Sequence, residues 1–112
     1  MFNYNIEYRE NILFIRLIGN LNKNNITQFD NEIKYIIYKL GIYNIVFNFE
    51  QLDSIDSKTI TYFINYNNLL KERKGVSLVC GVHGCLKNSG LLNYMKEISS
   101  ELCAIRVINW NN

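Results

Sequence analysis

The chain has 112 residues, 48 % of them hydrophobic, with a formal net charge of +2. That is one domain, residues 1–112, with enough apolar material for a core; it excludes a disordered chain, and the charge is too small for a nucleic-acid surface, which needs Lys and Arg clustered on one face. No run approaches the ~20 apolar residues that cross a bilayer, and Met1-Phe2-Asn3-Tyr4-Asn5 lacks the basic-then-apolar order of a secretory signal, so a cytoplasmic protein without a membrane role is expected.

Asn3 to Tyr8 and Ile12 to Ile18 are rich in aromatic and β-branched residues and meet at Arg9-Glu10-Asn11, which predicts a β-hairpin. In the second run Ile12, Phe14, Arg16 and Ile18 alternate with Leu13, Ile15 and Leu17. Nearly both faces are apolar, so this strand is central. Gly19-Asn20 ends it, and Leu21 to Asn25 form a polar loop. Ile26, Phe29, Ile33, Ile36, Ile37 and Leu40 then fall at helical spacing, with Asn25 and Gln28 suited to the start and Gly41 to the stop. Ile42 to Phe49 reads as a buried strand, parallel to an earlier one because it arrives after a helix.

Asp53-Ser54-Ile55-Asp56-Ser57-Lys58-Thr59-Ile60 lies where that strand hands over to a second helix. The first N–H groups of a helix lack partners inside it, so a carboxylate or hydroxyl here caps them and sits favourably in the helix dipole. Asp56 is therefore an N-cap candidate. Ser57 is either the first helical residue of an ordinary cap or a modifiable switch. Asp53 and Ser54 read as turn formers. Ile60, Phe63, Ile64 and Leu70 make the apolar stripe, interrupted by Asn67 and closed by Gly75, while the side bearing Tyr62 and Tyr66 is expected to be exposed as a contact surface. Lys71-Glu72-Arg73-Lys74 reads as the solvated end of this helix, where cations complement the dipole.

Val76 to Cys80 is another buried strand. Cys80, Cys85 and Cys103 are odd in number and have no C-x-x-C spacing, which fits reduced thiols. Cys80, His83 and Cys85 crowd into six residues without a zinc-ligand spacing, so they read as small buried residues and no metal site is expected. Leu86 to Leu92 reads as a short helix broken at Gly90, Tyr94 to Ile98 as a brief strand, and Ser100 to Ile108 as a final helix, although Ile105, Val107 and Ile108 would also suit a strand. The element order predicts an α/β sandwich: a mixed sheet of four to five strands with about four helices, packed at least partly on one face.

From Asn48 to Ile60 the sequence resembles the STAS domains of bacterial anti-sigma factor antagonists of the sporulation and stress type. Their pattern, D-L-S-x-V-x-x-[IM]-D-S-S-G-[LI], overlays this segment without a gap and puts Ser57 at the phosphoserine position. Asn48 stands for the usual aspartate, Lys58 for the second hydroxyl residue and Thr59 for the glycine, a β-branched residue adding bulk where glycine permits close approach. Gly19-Asn20-Leu21-Asn22 resembles the G-E-L-D before the first helix, and Leu86-Lys87-Asn88-Ser89-Gly90-Leu91 the L-x-x-S-G-L that ends the third. Between Cys80 and that motif the chain is about a helical turn shorter than typical members. Glu101, Ala104, Ile105 and Ile108 resemble the closing helix, which favours helix there.

The resemblance implies a binding module: an antagonist that docks an anti-sigma factor/serine kinase of GHKL type, frees the sigma factor, and is switched off when Ser57 is phosphorylated. It implies no cofactor, a contact surface of Asp56, Ser57, Lys58, Thr59 and Tyr62 with Asn22 and Asn24, and a monomer or weak dimer. The alternative is a divergent STAS scaffold that binds its partner without being phosphorylated. Enzyme readings find less support. A receiver domain needs an acidic pair after the first strand and a lysine after the last, a hydrolase would have to rest on His83 and Ser57 alone, and no Gly-rich phosphate loop occurs.

Overall fold

The computed structural model describes residues 1–110. Glu10 and Asn11 form a two-residue turn with φ of 56° and 68°, both left-handed, which matches the twist of a hairpin and joins β1 (Phe2–Arg9) to β2 (Ile12–Leu21). The chain continues through α1 (Ile26–Tyr38), β3 (Asn44–Ile55), α2 (Ser57–Glu72), β4 (Val76–Cys80), β5 (Lys96–Glu97) and α3 (Glu101–Trp110). The sheet order is β1-β2-β3-β4-β5, antiparallel in the first pair and parallel thereafter. This is the expected mixed sheet, with five strands. Three α-helices pack on it rather than four, because Gly84–Asn88 and Leu91–Asn93 are 3-10 turns separated by the left-handed Gly90 at φ 89°. Among the described residues no helix is long and apolar enough to cross a membrane.

Two apolar layers hold the sheet. Leu13, Ile15 and Leu17 point toward α1 and α2 and join Phe29, Phe47, Phe49, Phe63 and Tyr66 in the larger core. Ile12 and Phe14 point the other way, with Val46, Leu78 and Cys80, and meet Ala104 and Ile108 of α3. The two-sided pattern of the β2 sequence thus has a cover for each face, with helices on both. The larger core is aromatic: the Phe63 ring lies 5.0 Å from Phe47 and 5.4 Å from Phe49, centroid to centroid.

The sequence boundaries shift in physically readable ways. β2 does not end at Gly19-Asn20 but runs on to Leu21, because bulges in its pairing with β3 absorb the irregularity. β3 likewise runs past Phe49. Asp53 and Ser54 are not turn residues but the last part of this strand: Ser54 pairs with Asn20, and its hydroxyl donates to Asn20 Oδ1 at 2.6 Å. Leu40 lies beyond α1 and is exposed. Tyr66 is fully buried, and its hydroxyl donates to Asp30 Oδ1 at 2.6 Å, which corrects its placement on an exposed side. Burial next to that carboxylate raises the phenol pKa. Asn67, the interruption in the apolar stripe, is also buried; it accepts from the Ser77 hydroxyl and donates to the Tyr94 carbonyl.

The end of α2 shows what Gly75 is for. The left-handed residue is Lys74, at φ 59°, and the Gly75 N–H then donates to the Leu70 carbonyl at 2.7 Å. A Cβ on Gly75 would lie 2.0 Å from the Tyr43 carbonyl oxygen, so the glycine is required by close backbone approach rather than by its own φ. Arg73 leaves the basic run to lie over the Tyr38 ring, 4.8 Å from its centroid, and so ties α2 to α1.

Candidate functional site

β2 and β3 end side by side, Leu21 opposite Ile55, so the loop after β2 and the start of α2 meet at one end of the sheet. Asp56 joins them. Its Oδ1 accepts the Thr59 N–H at 2.9 Å and the Thr59 hydroxyl, which makes it the N-cap of α2. Its Oδ2 accepts the Lys23 N–H at 2.9 Å, and its own N–H donates to the Leu21 carbonyl. One carboxylate therefore both starts the helix and fixes the neighbouring loop.

That loop is tied internally. Asn22 Oδ1 accepts the Asn24 N–H, Asn25 Oδ1 accepts the Asn22 N–H, and the Asn25 amide donates to the Asn20 carbonyl. Asn25 thus precedes α1 as expected, but its side chain braces the loop instead of capping the helix. Asn24 remains exposed and Asn22 half-buried.

Ser57 and Lys58 are exposed on the first turn of α2, and the Ser57 hydroxyl has no hydrogen-bond partner among the described residues. Thr59 is fully buried, with its hydroxyl on Asp56. The bulk that replaces glycine in the resemblance therefore turns inward and adds a bond to the cap. Tyr62 is half-buried against the core, one turn beyond Lys58. Of the residues singled out in the sequence, Asp56, Ser57, Lys58, Asn22 and Asn24 come together at one end; Thr59 lies beneath them, and Tyr66 is not part of the surface. The exposed stripe continues instead through Thr61, Asn65 and Asn68.

The hydrogen bonds from Thr59 hold the Asp56 carboxyl below its ordinary pKa, with a further contribution from the Lys23 N–H. A carboxylate with a lowered folded-state pKa contributes stability above its unfolded value and loses it as pH falls through the folded one. Asp56→Asn keeps an oxygen for the Thr59 N–H and hydroxyl but sets an amide donor against the Lys23 N–H. Its melting temperature is expected to lie below that of the parent near neutral pH, and the gap to shrink as pH falls below the ordinary aspartate range and the parent carboxylate protonates. Thermal melts from neutral pH to below that range check it; a gap independent of pH would deny the carboxylate its charge-dependent role.

A second polar cluster, not anticipated from the sequence, lies on the α3 face. Arg16 donates to Glu101 through Nε and a terminal guanidinium nitrogen, at 2.8 and 2.7 Å, and to Glu7 at 2.8 Å. The Asn48 amide donates to Glu101 at 2.8 Å, while its Oδ1 accepts the Glu50 N–H. The Arg16 bonds, then that from Asn48, hold the Glu101 carboxyl below its ordinary pKa. A lone arginine inside an apolar strand was the available signal, since a charge in that setting needs a partner. Cys80 is buried beside this cluster and its thiol is pushed up to about 11, whereas His83 and Cys85 are exposed.

Solved structures share the fold. The anti-sigma factor antagonist SpoIIAA in its unphosphorylated form is 19 % identical and superposes with a TM-score of 0.79, over 96 % of this chain and 98 % of that one. The phosphorylated form of Bacillus SpoIIAA is 23 % identical with a TM-score of 0.75, over 94 % and 99 %. RsbS of Moorella thermoacetica, in a serine-to-glutamate form, is 14 % identical with a TM-score of 0.77, over 96 % of each chain. The STAS domain model matches residues 3–102, nearly the whole sheet with α1 and α2, and the chain accordingly belongs to the STAS domain family.

Proposed function

We propose that the chain is an anti-sigma factor antagonist that docks an anti-sigma factor/serine kinase of GHKL type, so freeing a sigma factor, and that phosphorylation of Ser57 switches it off. The observation that carries this reading is an exposed, unpartnered serine hydroxyl set on a rigidly capped helix start. The names of the similar structures support it: SpoIIAA is described as an anti-sigma factor antagonist and is known in both phosphorylated and unphosphorylated forms.

A phosphate on Ser57 brings roughly −1.5 to −2 charges to the first turn of α2, where the helix dipole and the free N–H groups at its start accommodate them. The fold need not change. A partner surface shaped for a neutral hydroxyl meets like-charge repulsion and an uncompensated desolvation cost. Asp56 and Thr59 act by fixing the helix start, whereas Ser57, Lys58 and Asn24 supply exposed contact and Asn22 and Tyr62 its margins. The protein works in this reading as a cytoplasmic regulator of transcription, as in sporulation or stress control, without a cofactor or catalysis of its own.

Incubation with a GHKL-type anti-sigma factor kinase and ATP, followed by mass-spectrometric mapping, is expected to place one phosphate on Ser57 and none on Ser54. Binding of that kinase without phosphate transfer would leave a scaffold function in place of the switch.

A further inference from the structure

The two edges of the sheet are protected very differently. β5 is two residues long and both are charged, Lys96 and Glu97. β1 runs for eight residues, Phe2–Arg9, without proline, lysine or a break in its register with β2. The devices that normally keep an edge strand from pairing with another chain are short length, proline, charged side chains (lysine above all) and bulges. Of these β1 has only Glu7 and Arg9, which are ion-paired to each other, with Glu7 also on Arg16.

The free edge can be read residue by residue. The two-residue turn makes Arg9 opposite Ile12 a hydrogen-bonded pair, so the odd residues of β1 bond β2. The bond from the Asn20 N–H to the Met1 carbonyl continues the same alternation at the other end of the strand. The N–H and C=O groups of Phe2, Tyr4, Ile6 and Tyr8 therefore point away from the sheet; the Tyr4 N–H donates there to Asn3 Oδ1 at 2.8 Å, a local bond that pairing would replace. Their side chains share the face that carries Phe29: Phe2 and Tyr4 pack on it, while Ile6 and Tyr8 are 39 % and 54 % exposed.

We propose that β1 pairs antiparallel with β1 of a second copy of this chain, about a two-fold axis at Asn5, to make one continuous ten-stranded sheet. The occupant follows from the strand's own complementarity. With Asn5 opposite Asn5, Phe2 faces Tyr8 and Tyr4 faces Ile6 of the second copy, so all four outward-pointing residues form bonded pairs, each exchanging two hydrogen bonds. Their side chains make an apolar and aromatic row, the kind of cross-strand pairing that stabilises sheets. On the other face Asn3 lies opposite Glu7, so the acids of the two copies do not meet; Glu7 is in addition held by Arg16 and Arg9. β2 lies between this edge and β3, the strand that leads to Ser57, so pairing leaves the proposed switch accessible.

Sedimentation equilibrium over a wide concentration range tests it. The parent protein is expected to form a reversible dimer, and backbone amides of Phe2, Tyr4, Ile6 and Tyr8 to gain protection from hydrogen exchange as concentration rises. Ile6→Pro removes an N–H that β2 does not use, and Ile6→Lys leaves the backbone intact while placing a charge in the paired row; each is expected to abolish the dimer. If Ile6→Pro fails to fold, Ile6→Lys alone decides. A parent protein that stays monomeric at all concentrations, or a dimer that survives Ile6→Lys with unchanged protection at these amides, overturns the proposal.

Discussion

Phe63→Ala is expected to cost about 3–5 kcal/mol, a large part of the roughly 5–15 kcal/mol that holds a domain folded. Phe63 is fully buried at the point where α2 crosses β3, with Phe47, Phe49, Tyr66 and Phe29 around it at centroid distances of 5.0, 5.4, 5.6 and 6.0 Å. Truncation removes the ring's transfer free energy and its edge-to-face contacts, and it leaves a cavity whose aromatic walls collapse poorly. Ile64, the next residue, is only half-buried and supplies the comparison: Ile64→Ala is expected to cost clearly less. Urea unfolding followed by circular dichroism measures both. A loss below about 1 kcal/mol at Phe63 would mean that the aromatic layer is not packed as described.

Ser57→Asp is expected to weaken binding to the anti-sigma factor by about a hundredfold or more, while Ser57→Ala leaves it within a few-fold of the parent. The side chain is exposed and unpartnered, so neither change disturbs the core. An aspartate in the first turn also complements the helix dipole, so the melting temperature should not fall. The loss therefore reports on the interface rather than on folding. Calorimetric titration of the three proteins measures it, and undiminished binding by Ser57→Asp would sink the switch. Lys58 tests the opposing charge: in Ser57→Asp/Lys58→Ala the loss should deepen, because the cation beside the new carboxylate is gone.

The strands and helices with strong periodicity were legible in the sequence. α1, α2 and β4 lie where their apolar spacing puts them, and the choice of helix for the last segment holds over Glu101–Trp110. What periodicity does not convey is the partner across a sheet. Asp53 and Ser54 carry turn chemistry, yet pairing with the end of β2 keeps them in β3. Tyr66 looks like a surface residue because its hydroxyl is polar, and it is buried because Asp30, on another helix, accepts from that hydroxyl. Leu86 to Leu92 has helical spacing too short to support an α-helix across Gly90, and it settles as two 3-10 turns. At the candidate site Asp56 and Ser57 were legible because capping is local. The bond from the Lys23 N–H was not, since it joins two segments far apart in the chain.

The bonds that Glu101 receives from Arg16 and Asn48 carry a consequence for how this chain can vary. An amide at position 48 both donates to an acid and accepts from the Glu50 N–H; an aspartate there, as in the family pattern, can only accept. Aspartate at 48 and glutamate at 101 would then face each other across one arginine. Asn48→Asp would therefore lose the amide's bond to Glu101 and set a second carboxylate on Arg16. The asparagine that departs from the motif, in the middle of β3, is thus tied to the acid that opens the last helix.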